Sequence, residues 1–190
     1  MSNRVQEILS WYASENPGVR EKLYRILMQG RLAGTGRMVI LPVDQGFEHG
    51  PGRSFAPNPP ACGPHYHFQL AIDAGLNAYA APLGFLEAGA ADYAGQIPLI
   101  LKVNNHDVLH DEIEPMGGQT ATVADALRLG CVGIGYTIYP GTEPRRYQYE
   151  QFQKVAQEAK DNGLLVVLWA YARGGDLPKE AETSIDTVTY

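Results

Sequence analysis

The feature that most constrains the fold of this chain is an alternation of short apolar runs with amphipathic stretches. Five runs rich in apolar residues follow residue 36, at 38–44, 78–84, 98–104, 131–141 and 164–174. Their nearly continuous apolar character is typical of strands that are buried on both faces, as strands of parallel sheets are. The runs therefore predict five parallel strands.

Helical patterns lie between several of these runs, at residues 66–74, 120–129 and 146–161. Each pattern ends at or just before a glycine, which is the common residue at the C-terminal cap of a helix. A strand, a helix and a further strand in regular alternation indicate an α/β fold built on a parallel sheet.

Two architectures accommodate five such units, an open doubly wound sheet and a (β/α)8 TIM barrel. The sequence has neither a G-x-G-x-x-G motif after the first strand nor a phosphate-binding G-x-x-x-x-G-K-[ST] motif, which weakens the case for a nucleotide-binding open sheet. A complete barrel needs about 250 residues, whereas this chain has 190. We expect residues 37–190 to form about the first five βα units of a barrel truncated after its fifth strand. The first and fifth strands would then be unpaired edges.

Residues 1–36 are predicted to form a helical layer that precedes the barrel. Apolar residues recur there at helical spacing on both sides of a break at residues 16–18. Such a layer serves packing or subunit contact rather than catalysis. It permits association, and we expect the full-length form to be a homo-oligomer.

Composition excludes several classes of partner. The formal net charge is -6 and no block of basic residues occurs, so we expect no nucleic-acid partner. No stretch of about 18 apolar residues is present and the N-terminus does not resemble a signal peptide, so we expect no membrane partner. The two cysteines, Cys62 and Cys131, are far apart in the sequence, and a reducing cytoplasm fits them best.

Several polar and aromatic side chains lie where the predicted strands end, which is where TIM barrels carry their chemistry. Asp44 ends the first strand, and Lys102 lies within the third among apolar neighbours. Because a buried lysine is costly unless it is paired, Lys102 is a candidate for the barrel mouth. Trp169 and Tyr171 alternate along the fifth strand and so share one face. Arg173 follows them and is a candidate for binding phosphate.

Five separated segments together resemble one enzyme family, the class I fructose-bisphosphate aldolases of the archaeal and bacterial type. These segments are PVDQGFEHGP, AIDAGLNAYAAPLGFLEAGA, PLILKVN, GCVGIGYTIYPGT and WAYARGG. The resemblance implies a TIM barrel that reversibly cleaves fructose 1,6-bisphosphate to dihydroxyacetone phosphate and glyceraldehyde 3-phosphate in glycolysis and gluconeogenesis. It implies no metal and no other cofactor, because a lysine forms a Schiff base with the substrate ketone. The family carries this lysine at the end of the sixth strand, which would lie beyond residue 190.

The resemblance also implies roles for residues of this chain. Asp44 becomes an active-site carboxylate that shuttles protons or holds substrate hydroxyls, and the competing interpretation is a cap or turn aspartate. Tyr171 becomes the general acid/base that takes the hydroxyl proton when the carbon–carbon bond breaks. Lys102 is expected to assist the Schiff base electrostatically, or to be a Schiff-base lysine itself. The remaining predicted substrate contacts are Trp169, Gln45, His49 and Arg173.

Three alternatives stay open at this point. A relative with the same imine chemistry but another substrate has the same fold. A chain that lacks the imine lysine is instead a non-catalytic, truncated aldolase-like protein. A zinc-dependent aldolase would use histidines and aspartates in loops, and the candidates are His65, His67, His106, Asp107, His110 and Asp111. Glu48 is expected to order the first loop or to line the site.

Overall fold

The structure is a computed structural model that describes residues 3–107, 109, 113–175 and 177–189. Its strands are β1 (Ile40–Pro42), β2 (Ala78–Pro82), β3 (Leu99–Lys102), β4 (Asn104–Asn105), β5 (Gly118–Gln119), β6 (Gly133–Ile138) and β7 (Leu165–Ala170). Its helices are α1 (Asn3–Trp11), α2 (Pro17–Leu27), α3 (Gln45–Glu48), α4 (Pro51–Phe55), α5 (Pro64–Asp73), α6 (Leu83–Gly89), α7 (Val123–Arg128), α8 (Arg145–Asp161) and α9 (Ile185–Thr189).

The main sheet has five strands in the order β1-β2-β3-β6-β7, and every neighbouring pair is parallel. Consecutive parallel strands are adjacent because a helical connection crosses over between them. This arrangement confirms the five predicted strands and their direction. Among the described residues, β1 and β7 each pair with one strand of this sheet, so they are its edges.

Two hydrophobic cores cover the two faces of the sheet. On the outer face, side chains such as Tyr79, Leu101 and Ile134 pack against helices α5 to α8. On the inner face, small strand residues including Ala78 and Ala80 pack against α1 and α2. The small side chains leave room for the two helices, which close the inner face at the N-terminal ends of the strands.

The predicted helical layer therefore consists of α1 and α2, and a buried asparagine ties it to the sheet. The Asn77 side chain donates hydrogen bonds to the backbone oxygens of Ile26 (2.9 Å) and Gln29 (2.8 Å). Its oxygen accepts a hydrogen bond from the Val39 backbone N–H at 2.8 Å. The position of the domain boundary at residue 36 stays a prediction.

The connections contain more structure than the sequence analysis indicated. The proline-rich loop at residues 50–64 holds α4 and a 3-10 helix, Pro59–Cys62. Helix α6 and the antiparallel β4–β5 pair were also not predicted. Elements this short have no hydrophobic period to detect, and proline at the first helical positions favours two of them.

Two further observations concern the expected environment of the chain. No helix among the described residues is both long and apolar enough to cross a membrane. Cys62 is exposed, Cys131 is buried, and both thiols are free.

Candidate active site

The C-terminal ends of three strands bring the predicted site residues together. Asp44 follows β1, Lys102 ends β3, and Trp169 and Tyr171 lie at the end of β7. All four line one small cavity of about 20 Å³, together with Pro42, Val43 and Ala80. A cavity of this size has room for about one water molecule, so these side chains pack closely around it. Asp44 also lines a larger neighbouring cavity of about 300 Å³, together with residues such as Phe47 and Phe85.

Lys102 is buried and bound by two carboxylates. Its Nζ atom lies 2.8 Å from Asp44 Oδ2 and also donates a hydrogen bond to Glu48 Oε1. The Lys102 side chain is only 6% exposed. The two carboxylates offset the cost of burying the ammonium group, which explains how a lysine is accommodated inside a parallel strand.

The Asp44 carboxylate is directed into the mouth and does not cap a helix. Asp44 is at the N-cap position of α3, but its side chain makes no capping hydrogen bond. His49 Nε2 lies 3.6 Å from Asp44 Oδ1. Burial raises the pKa of Asp44, but the hydrogen bond and charge of Lys102, together with Glu48 and His49, outweigh burial, so the pKa lies below its ordinary value. Asp44 is therefore held as an anion.

The pKa of the Glu48 carboxyl is shifted in the opposite direction. Burial raises the pKa of Glu48 and the charge of Asp44 raises it further, while Lys102 offsets only part of this increase. The net pKa of Glu48 lies above its ordinary value. Lys102 is thus hydrogen-bonded to two neighbouring carboxyls, and Asp44 stays ionised to lower pH than Glu48.

The end of β7 places an aromatic pair at the other side of the mouth. A Cβ atom on Gly135 would lie 1.8 Å from the Trp169 ring, so the indole occupies the space that glycine leaves on the neighbouring strand. The Tyr171 ring stacks with the ring of Tyr139, with centroids 6.2 Å apart. The Arg173 guanidinium lies 5.1 Å from the centre of the Tyr171 ring.

Three predicted substrate contacts lie around the mouth without lining the small cavity. The Gln45 side-chain oxygen accepts a hydrogen bond from the Asp44 backbone N–H at 3.1 Å. His49 contacts Asp44, as described above, and its side chain is half exposed. Arg173 Nε lies 3.5 Å from Glu182 Oε1. Their assignment to substrate stays a prediction.

The histidine pairs do not form metal-binding groups among the described residues. His65 Nε2 lies 2.9 Å from Asp92 Oδ2 on the surface. The buried His67 is hydrogen-bonded through Nε2 to the Ala61 backbone oxygen at 2.7 Å, and burial lowers its pKa. The ring of His106 lies edge-on to Tyr139. His110 and Asp111, which completed the other predicted group, lie outside the described residues.

A different trio has suitable ligand atoms close together. One ligand atom each from Asp44, Glu48 and His49 lies within 4.8 Å of the other two. The Lys102 ammonium is already hydrogen-bonded to both carboxylates. A cation at this place would have to compete with Lys102 for the same oxygen atoms.

Sequence reasoning missed the direct contact between Glu48 and Lys102, although a local signal was present. Glu48 follows Asp44 by four residues, and its backbone N–H donates a hydrogen bond to the Asp44 backbone oxygen at 2.9 Å. Residues four apart on a helical turn share one face. The spacing therefore could have placed both carboxylates on the same side of the loop.

Several known aldolases are similar to this chain. Residues 38–188 match the model of a family described as DeoC/LacD family aldolase. A probable class 1 fructose-bisphosphate aldolase of Chlamydia muridarum is 37% identical over 161 residues, which cover 85% of this chain and 46% of that protein. The class 1 fructose-bisphosphate aldolase of Thermoproteus tenax is 36% identical over 165 residues, covering 87% of this chain and 59% of that protein. The chain spans about half the length of these curated relatives.

A solved structure extends the similarity to three dimensions. It is an archaeal fructose-1,6-bisphosphate aldolase whose catalytic lysine is covalently bound to the carbinolamine intermediate of the substrate. The TM-score is 0.77 at 34% identity, and the match covers 90% of this chain and 64% of that one. This similarity confirms the predicted fold, in which the parallel sheet is part of a TIM barrel.

Proposed function

Because this chain belongs to the DeoC/LacD aldolase family, we propose that it supplies the first five strands of a class I, Schiff-base fructose-bisphosphate aldolase. The observation that carries the proposal is the grouping of Asp44, Lys102, Trp169 and Tyr171 around one cavity at the strand ends. The relatives named above, which are class 1 fructose-bisphosphate aldolases, support the same activity.

The imine lysine is proposed to be a residue other than Lys102. An imine lysine must present its amine to the substrate ketone, whereas the Nζ atom of Lys102 already donates hydrogen bonds to Asp44 and Glu48 and its side chain is only 6% exposed. The family resemblance places the imine lysine on the sixth barrel strand, whereas the main sheet described above has five strands. Lys102 then assists the site by fixing Asp44.

In the proposed cleavage, the imine accepts electrons, and residues of this chain accept the proton and hold the substrate. The iminium ion accepts the electron pair of the breaking C3–C4 bond and becomes an enamine, while the C4 hydroxyl loses its proton. Tyr171 is proposed to accept that proton and to return it in the condensation direction. The Asp44 carboxylate is proposed to hold substrate hydroxyls near the reacting carbons, and Trp169 to form the wall of the pocket.

The proposal also covers the substrate class, the cellular compartment and the oligomeric state. We propose sugar phosphates as substrates, the cytoplasm as the compartment, and a homo-oligomer as the assembly. The aldolase relatives support the substrate class. Size-exclusion chromatography with light scattering on the full-length protein tests the assembly, because a monomer at micromolar concentration contradicts it.

The test of the activity uses the full-length protein with fructose 1,6-bisphosphate. We expect cleavage that survives EDTA and that borohydride abolishes in the presence of dihydroxyacetone phosphate, because reduction traps the imine. Borohydride without the ketone is the control. Cleavage that EDTA abolishes and borohydride leaves intact would support the zinc alternative instead.

A further inference from the structure

Glu48 connects three parts of the barrel mouth. It ends α3, and its Oε1 atom accepts hydrogen bonds from Lys102 at the end of β3 and from the His106 backbone N–H at 3.1 Å. Glu48 is only 8% exposed. Glutamate is almost never fully buried unless it is paired, so this burial requires an explanation.

Charge balance does not supply that explanation. Lys102 carries one positive charge, and Asp44 alone would neutralise it at 2.8 Å. Glu48 adds a second carboxylate to the same ammonium, which leaves one surplus negative charge when both carboxyls are ionised. The raised pKa of Glu48 fits this surplus, because it means that the ionised form is disfavoured in the folded protein.

A buried carboxyl whose ionised form is disfavoured and which nevertheless contacts the site is characteristic of function rather than folding. We propose that Glu48 is a positioning residue, which holds Lys102 and the loop at His106 so that the ammonium stays fixed against Asp44. The catalytic relevance of this role rests on the proposed function, because Asp44 acts on substrate only if the protein is an aldolase. The claim that Glu48 fixes the position of Lys102 rests only on the contacts of Glu48.

The other titratable groups around this cluster come from four elements. His49 faces Asp44 from the first loop, and His106 follows β4. Tyr139 follows β6, and the charges of Glu48 and Asp44 add to the effect of burial in raising its pKa. Tyr171 and Arg173 follow β7.

The experiment compares Glu48→Gln with wild type in the full-length protein. Glutamine keeps the size of the side chain but removes the charge that holds the ammonium. We expect kcat for fructose 1,6-bisphosphate to fall about tenfold with KM within about twofold, as for loss of precise positioning. We also expect the melting temperature at pH 7.5 to be equal or higher, because a disfavoured buried charge is removed.

The pH profile separates positioning from a purely structural role. Wild-type kcat should fall as pH drops through the raised pKa of Glu48, whereas Glu48→Gln should not show this fall. Glu87→Gln is the matched control, since it removes the same charge from an exposed ion pair with Arg128. The control should leave kcat and the pH profile unchanged.

Two results would overturn the proposal. The first is wild-type kcat and pH profile in Glu48→Gln, and the second is a loss of kcat that parallels a lower melting temperature. If wild type does not cleave the bisphosphate, the proposed function fails, and the crystal structure of Glu48→Gln decides the positional claim. A lengthened contact between Lys102 Nζ and Asp44 Oδ2 supports that claim, and an unchanged 2.8 Å contact overturns it.

Discussion

Replacing Lys102 with methionine tests the electrostatics of the mouth directly. Methionine preserves most of the length and volume of the side chain but leaves Asp44 and Glu48 buried without their cation. Removing one partner of a buried ion pair costs about 3–5 kcal/mol. At about 2–4 °C per kcal/mol, the melting temperature should fall by about 6–20 °C at pH 8.

The loss should depend on pH in a defined direction. Without the ammonium, burial and mutual repulsion raise the pKa of both carboxyls above their unfolded values. Folding then takes up protons, so the variant regains stability as pH falls. In wild type, the pKa of Asp44 is lower in the folded protein than in the unfolded chain. The ionised Asp44 therefore stabilises the fold at pH values above its unfolded pKa, and this stabilisation is lost as the pH falls through its folded pKa. That loss lies below the ordinary pKa of 3.8 and is therefore outside the range from pH 8 to pH 5. Because the loss of Lys102 raises the pKa of both carboxyls further than in wild type, the variant gains more stability than wild type as pH falls, so the difference should be smaller at pH 5 than at pH 8.

The assay is thermal unfolding of the full-length protein at both pH values. The matched control is Lys160→Met, because Lys160 pairs with Glu15 at 2.5 Å but is 43% exposed. An exposed pair contributes about 0–1 kcal/mol, so the control should melt within a few degrees of wild type. A Lys102→Met variant that melts like this control, or that loses the same stability at pH 5 and pH 8, would refute the reasoning.

Two further predictions concern the β7 side of the mouth. Tyr171→Phe should lower kcat by about 100-fold or more with little change in KM, because it removes the group proposed to carry the proton. Steady-state kinetics measures this, with Tyr149→Phe as the control at an exposed tyrosine. Gly135→Ala should destabilise the protein by about 1–3 kcal/mol, because the added Cβ would lie 1.8 Å from the Trp169 ring. Denaturant unfolding against Gly118→Ala, where a Cβ meets nothing within 4 Å, checks it, and equal stability of the two variants would contradict the packing described.

Much of the fold follows from local sequence signals. The inner strands β2, β3 and β6 are buried and produce apolar runs. The edge strands β1 and β7 are only partly buried, so the prediction that they are buried on both faces is wrong. Helices of ten or more residues produce a hydrophobic period, as α5 and α8 do. Short elements such as α4 and α6 give neither signal, because they are five and seven residues long. Their positions are fixed by tertiary contacts, which a single sequence does not display.

The sequence likewise predicts some features of the candidate site and not others. The cost of burying Lys102 predicts that it has a partner, but the identity of the partner depends on how the fold brings together Asp44 and Lys102, which are 58 residues apart in sequence. Asp44 was singled out at the end of its strand, whereas the contact of Glu48 with Lys102 required the conformation of α3. The pairing of one lysine with two carboxylates is therefore a property of the folded structure.

The most direct measurement of the central claim is mass spectrometry of the full-length protein after borohydride reduction with dihydroxyacetone phosphate. We expect a covalent adduct on a lysine other than Lys102, while the Lys102 peptide stays unmodified. An adduct on Lys102, or cleavage of fructose 1,6-bisphosphate with no adduct on any lysine, would contradict it.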